Sequence, residues 1–227
     1  MCISKRLVAA ILLTFTLLVP TVVAKKRDGA PLKRSELKEA ERRLREMGYS
    51  TGQDTRQALI TFQKWEGRKV TGSLTRAEFN AIREASAPRP KDTGYKHVEV
   101  DLDRQVMLLT DEEGAVTKIL PVSTGSGKQY KEKRMSGLAY TPRGRFKIYN
   151  KLAGWRKSPL GLLYYPNYFS DGLAIHGNPE VPHEPRSHGC VRIPMSEAKE
   201  ISEQLPVGTI VLIYDSQSFV SAKEWIE

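Results

Sequence analysis

Cys190 closes the stretch Ser187-His188-Gly189-Cys190-Val191-Arg192, fourteen residues beyond Ile175-His176-Gly177, and the chain's other cysteine is Cys2. A thiol accompanied by histidines has the makings of a nucleophile, because an adjacent imidazole supplies the base that makes the reactive thiolate. The chemistry needs three parts: a thiolate, a base that forms it, and donors for the oxygen of an attacked carbonyl. His176, at the end of a predicted strand, is the candidate base. Gly189 lacks a Cβ and lets the backbone turn sharply, so the amides of His188, Gly189 and Cys190 are the candidate oxyanion hole. Ser187 is expected to hydrogen-bond within the turn. Arg192 either pairs with a substrate carboxylate or braces the loop from behind, since planar bidentate pairing suits both.

These residues also admit two other readings. A lone cysteine is often a small buried hydrophobe, but the Ser-His-Gly context argues for reactivity. His176, His183, His188 and Cys190 also form a His3Cys set of zinc-ligand types, yet their spacing matches no common site, and His183 sits in the solvated loop Pro182-His183-Glu184-Pro185. No metal and no cofactor are expected. His97, on an early strand, reads as structural or exposed.

The amino terminus explains why a thiol would stand alone. Lys5 and Arg6 precede an uncharged apolar run from Leu7 to Pro20, and Val22-Val23-Ala24 offers small residues for cleavage, so residues 1–24 read as a signal peptide. Cys2 departs with it. The exported chain then holds one cysteine and no internal disulfide, in a compartment that permits disulfides. If the leader is retained instead, Leu7 to Ala24 is just long enough to anchor in a membrane. The formal charge of +10 falls to +8 without Lys5 and Arg6. A basic exported protein is suited to anionic polymers such as a cell wall. Nucleic acid is a poor fit, because the aromatics do not alternate with basic residues and export removes that partner.

The elements that must hold the site divide the remaining chain in two. From 35 to 85 the apolar residues recur at helical spacing: Leu37, Ala40, Leu44 and Met47; then Ala58, Leu59 and Phe62 after an Asp54 cap; then Phe79 and Ile82 after Thr75 with Glu78. Three short helices follow from this pattern. Residues 86–94, with Pro88, Pro90 and Gly94, have linker composition. From 95 to 215 the period falls to two, with strands at Val98–Leu102, Val106–Leu109, Val116–Val122, Arg145–Tyr149, Leu173–His176 and Thr209–Tyr214. One helix, Met195–Leu205, follows the cysteine. The fold class is multidomain: a small helical bundle, then a mainly β domain with little helix.

The cysteine stretch resembles the signature of the L,D-transpeptidases, whose YkuD-like catalytic domain carries His-Gly, a loop, then Ser-His-Gly-Cys and an Arg or Asn. The likeness extends to Val122-Ser123-Thr124-Gly125, Thr141-Pro142-Arg143-Gly144-Arg145-Phe146, and Tyr168-Phe169 leading into Gly172-Leu173-Ala174-Ile175-His176-Gly177. It implies a sandwich fold, with Cys190 as nucleophile, His176 as proton acceptor and donor, and the Gly177 carbonyl as its orienting partner. His188, where the family tolerates other residues, is implied to orient or contact substrate, and Ser187, Arg192 and Tyr168 to line the substrate site. Thr141-Pro142 reads as a turn without chemistry. Residues 37–85 are similar to a peptidoglycan-binding module through Leu44, Met47-Gly48-Tyr49, Ala58-Leu59, Phe62-Gln63 and Val70-Thr71-Gly72, although the turn before the second helix is shortened.

The implied activity is acyl transfer on peptidoglycan stem peptides in the periplasm or cell wall, through a thioester on Cys190. The acceptor would be a stem amine, giving a crosslink, or a lysine of a wall-anchored protein. With water as acceptor the enzyme would be an L,D-carboxypeptidase. Another thiol hydrolase of wall peptides and a non-catalytic wall-binding protein are the remaining alternatives.

Overall fold

The computed structural model describes residues 31–51, 55–132 and 135–218. The predicted signal peptide, Cys2 and the Asp54 cap lie outside them.

Helices α1 (Arg34–Glu46), α2 (Thr55–Trp65) and α3 (Arg76–Glu84) form where apolar residues recur every three to four positions. The Thr75 hydroxyl caps α3 by accepting the Glu78 amide at 3.2 Å. Ala40, Leu44, Ala58, Leu59, Phe62, Phe79 and Ile82 meet in one core, whereas Leu37 of the same stripe is exposed.

The β domain opens with an antiparallel meander of β1 (His97–Asp101), β2 (Val106–Thr110) and β3 (Val116–Pro121). A projecting hairpin, β4 (Gln129–Glu132) with β5 (Met135–Leu138), follows, and then β6 (Gly144–Lys147) and the short β7 (Asn150–Lys151). Next come β8 (Trp155–Ser158), β9 (Gly161–Ser170), β10 (Leu173–Asn178), β11 (Val191–Pro194), helix α4 (Met195–Gln204) and β12 (Ile210–Tyr214). Beside the two-stranded β4-β5 sheet, two larger sheets result, ordered β3-β2-β1-β12-β6 and β11-β10-β9-β7, with β8 paired to β9. Val98, Val100, Met107, Leu109, Ile175, Val191, Ile193 and Val211 fill the principal core. β1 with β12 and β10 with β11 are parallel pairs, which the sequence reading did not anticipate.

The helical bundle is not a separate bead. Side chains alternate along a strand, so while Met107 and Leu109 face the principal core, Val106, Leu108 and Ile119 face the other way and complete the core of the helices. Each such apolar side chain is worth about 1.5–3 kcal/mol when fully buried. Backbone pairing adds to the seam: Ile119 N–H donates to Gly48 at 2.8 Å and Ser50 N–H to Ile119 at 3.1 Å, extending the free edge of β3. Lys64 of α2 is buried and donates to the carbonyls of Val122 and Gln105 at 3.0 and 3.2 Å. The segment 86–94 carries no helix or strand, yet its Lys91 and Asp92 amides donate to the buried Glu99 carboxylate at 2.9 and 2.8 Å.

Candidate active site

The site is a consequence of strand register. β10 and β11 run parallel with His176 beside Arg192 and Ile175 beside Val191. Because alternate side chains share a face, Ile175 and Val191 enter the core while His176 and Arg192 turn outward, together with Cys190 two residues before Arg192. On the other side of β10, Tyr168 of β9 pairs with Ala174. His176, Tyr168, Cys190 and Arg192 therefore gather in one open cleft of about 840 Å³. The β4–β5 hairpin contributes Tyr130, Met135 and Leu138 to one wall, and the β8–β9 turn from Arg156 to Leu163 another.

His176 is 3% exposed, and its Nδ1 lies 2.9 Å from the Gly177 carbonyl. A carbonyl only accepts, so Nδ1 carries the proton and Nε2 is the basic nitrogen. Burial, reinforced by the positive charge of Arg192, lowers the imidazole pKa to about 4 despite that hydrogen bond. Burial also raises the Cys190 thiol above its ordinary range, against the opposing effects of the Ala174 backbone and Arg192. Both shifts favour the neutral thiol and the neutral imidazole.

The Cys190 turn is fastened at several points. The Ser187 hydroxyl donates to the Cys190 carbonyl at 2.6 Å and accepts the Gly189 amide at 3.0 Å. Thr141 donates its hydroxyl to the Gly189 carbonyl at 2.7 Å and accepts the Gly125 amide at 2.8 Å. Gly189 has φ of +141°, and a Cβ there would lie 2.7 Å from the Tyr140 carbonyl oxygen. Gly177 is equally confined: a Cβ would come within 2.6 Å of Ala198 on α4. Ser123 pairs its backbone with Arg192, and its side chain donates to the Glu184 carbonyl at 2.8 Å while accepting the Arg186 amide at 3.1 Å.

The three neighbouring histidines diverge. His188 meets Glu132 of the hairpin at 2.9 Å and stacks edge-on against Tyr130. His183 is exposed and feels the charges of Lys64 and Arg56 on the helical side. Among the described residues no three His, Cys, Asp or Glu side chains converge as metal ligands. His97 is buried, with Nδ1 2.8 Å from the Tyr95 carbonyl and Nε2 3.2 Å from Glu99. Sequence reasoning passed over Gln105, quoted Thr124 only within the family likeness, and gave Thr141 a turn without chemistry.

Residues 95–213 match the L,D-transpeptidase catalytic domain family, YkuD. The chain belongs to the L,D-transpeptidase family. Residues 33–82 match a peptidoglycan-binding domain family. An L,D-transpeptidase structure from Xylanimonas cellulosilytica is similar at 35% identity and a TM-score of 0.70, covering 78% of this chain and 91% of that one. Another, from Stackebrandtia nassauensis, is 24% identical with a TM-score of 0.49, covering 83% of this chain and 95% of that one. No curated protein matches. As an L,D-transpeptidase-family protein with this amino-terminal domain, the chain has peptidoglycan as its partner. No helix among the described residues is long and apolar enough to cross a membrane.

Proposed function

We propose that the protein is a cysteine-dependent L,D-transpeptidase working outside the cytoplasm on peptidoglycan stem peptides. The observation that carries this reading is the His176 Nδ1 bond to the Gly177 carbonyl, which leaves Nε2 as the proton acceptor in the cleft that holds Cys190.

As the Cys190 sulfur attacks the carbonyl carbon of the third stem residue, Nε2 takes the thiol proton. The carbonyl oxygen becomes an oxyanion. The Gly189 amide is already engaged by Ser187, which narrows its donors to the amides of His188 and Cys190. Collapse breaks the bond to the fourth residue, and His176 returns the proton to the departing amine. The resulting thioester is attacked by an acceptor amine, which loses its proton to Nε2 and expels the sulfur, and that sulfur regains the proton. Arg192, the cation beside His176, is positioned to hold a stem carboxylate, and Tyr168 forms part of the wall.

The test is incubation with defined tetrapeptide fragments, with and without an amine acceptor, followed by mass spectrometry of protein and products. A thioester on Cys190 and an amine-dependent adduct are expected. Offering a stem amine and a lysine peptide separately distinguishes crosslinking from protein attachment, while a hydrolysed tripeptide as the sole product would make the enzyme a carboxypeptidase.

A further inference from the structure

We propose that Lys64, a residue of the helical domain, is a positioning residue for the Cys190 turn. The proposal rests on the catalytic reading above and extends it to a group remote from the substrate cleft.

Lys64 is 6% exposed, and its ammonium donates to the carbonyls of Gln105 and Val122. From there a continuous series of hydrogen bonds runs to the nucleophile. Gln105, held with φ of +54°, uses its side-chain amide against Thr124: Nε2 donates to the Thr124 hydroxyl at 2.8 Å and Oε1 accepts the Thr124 amide at 2.9 Å. The Thr124 carbonyl accepts the Ser187 amide at 2.8 Å. Ser187 then grips the turn through the Cys190 carbonyl and the Gly189 amide. The second carbonyl that Lys64 holds, Val122, immediately precedes Ser123, whose backbone pairs with Arg192.

Burying a charged ammonium is costly unless its donors are used, and a neutral side chain could fill the same space for packing alone. Here the charge is placed where two carbonyls of the segment supporting the catalytic loop converge. A second brace reaches the His176 side: Ser50 donates to the buried Glu197 of α4 at 2.8 Å, and the next residue, Ala198, is the one packed against Gly177. The helical domain thus supports both halves of the catalytic pair from behind, and Lys64 is its contact with the nucleophile half.

The experiment uses the full chain and a free tetrapeptide donor with an amine acceptor. Lys64→Met is expected to lower kcat by about tenfold to a hundredfold, since small misplacements of reacting groups carry losses of that size. KM should stay within about twofold, because the interaction is lost from the turn and not from substrate binding. Thr124→Val, which removes one hydroxyl from the same series, should give the same split should Lys64→Met fail to fold. The double variant should lose little more than the worse single one. Ile82→Ala, in the helical core away from this series, should lower the melting temperature while keeping kcat. An unchanged kcat in Lys64→Met or Thr124→Val, additive losses in the double variant, or an equal kcat loss in Ile82→Ala would overturn the proposal. A wild-type protein that forms no thioester would instead refute the catalytic reading itself.

Discussion

His176 donates its Nδ1 proton to the carbonyl of its own neighbour, Gly177, where many thiol enzymes would place a side-chain acceptor. A carbonyl fixes the tautomer without bringing a negative charge, and its hydrogen bond supports an imidazolium too weakly to offset burial and the nearby Arg192. In the proposed mechanism the attack would therefore start from a neutral pair, with the proton passing to His176 as the sulfur attacks.

The pH dependence follows. His176 binds its proton at about 4 when folded and at its ordinary 6.5 when unfolded. Between those values the unfolded chain holds more protons, so stability is fully present above pH 6.5 and is lost as pH falls toward 4. The gap corresponds to about 3 kcal/mol. Denaturant melts at pH 7 and pH 4.5 should show that loss, and His176→Gln should remove much of it.

Alkylation reports on the thiol directly. With burial raising Cys190, its reaction with iodoacetamide should rise with a midpoint above that of free cysteine. A midpoint well below neutral would establish the ion pair instead. In the chain without residues 1–24, and so without Cys2, Cys190→Ala should abolish both alkylation and the substrate adduct while leaving the melting temperature nearly unchanged.

Gly189→Ala should be far more damaging than its size implies. The new Cβ would meet the Tyr140 carbonyl oxygen at 2.7 Å and Leu173 at 2.9 Å, from a backbone conformation that L-residues rarely adopt. A stability loss of about 1–3 kcal/mol is expected, with turnover reduced about a hundredfold by displacement of the adjacent thiol. Steady-state kinetics beside a thermal melt would check both.

Deleting the helices should not release a healthy catalytic domain. A chain of residues 95–227 would bare Val106, Leu108 and Ile119 and reopen the β3 edge. It should aggregate or melt well below the full chain, as light scattering and calorimetry would show. Binding to sacculi is therefore better measured on the intact protein in high salt, where the screening length falls to about 3 Å at 1 M and contacts between exposed charges fade.

The sequence made the candidate nucleophile and its candidate base legible because their types and spacing are unusual, and the helices legible because their apolar period is clean. It concealed how the two are joined. Thr141 acts on Gly189 across forty-eight positions, a relationship no local pattern carries. The β4–β5 hairpin was missed because Gln129–Glu132 has no apolar alternation, one strand wall being open to the cleft and solvent. Val106 to Leu109, uninterrupted by polar residues, held the clue to the shared core: a strand apolar at every position is covered on both faces.

That shared core also sets an order of events. The helices leave the ribosome first, yet Ile119, whose amide and carbonyl secure Gly48 and Ser50, arrives about seventy residues later. Contacts so distant along the chain form late, after the cost of closing a long loop. The helical domain therefore cannot reach its final state alone, and must wait, unfinished, for the meander that follows it.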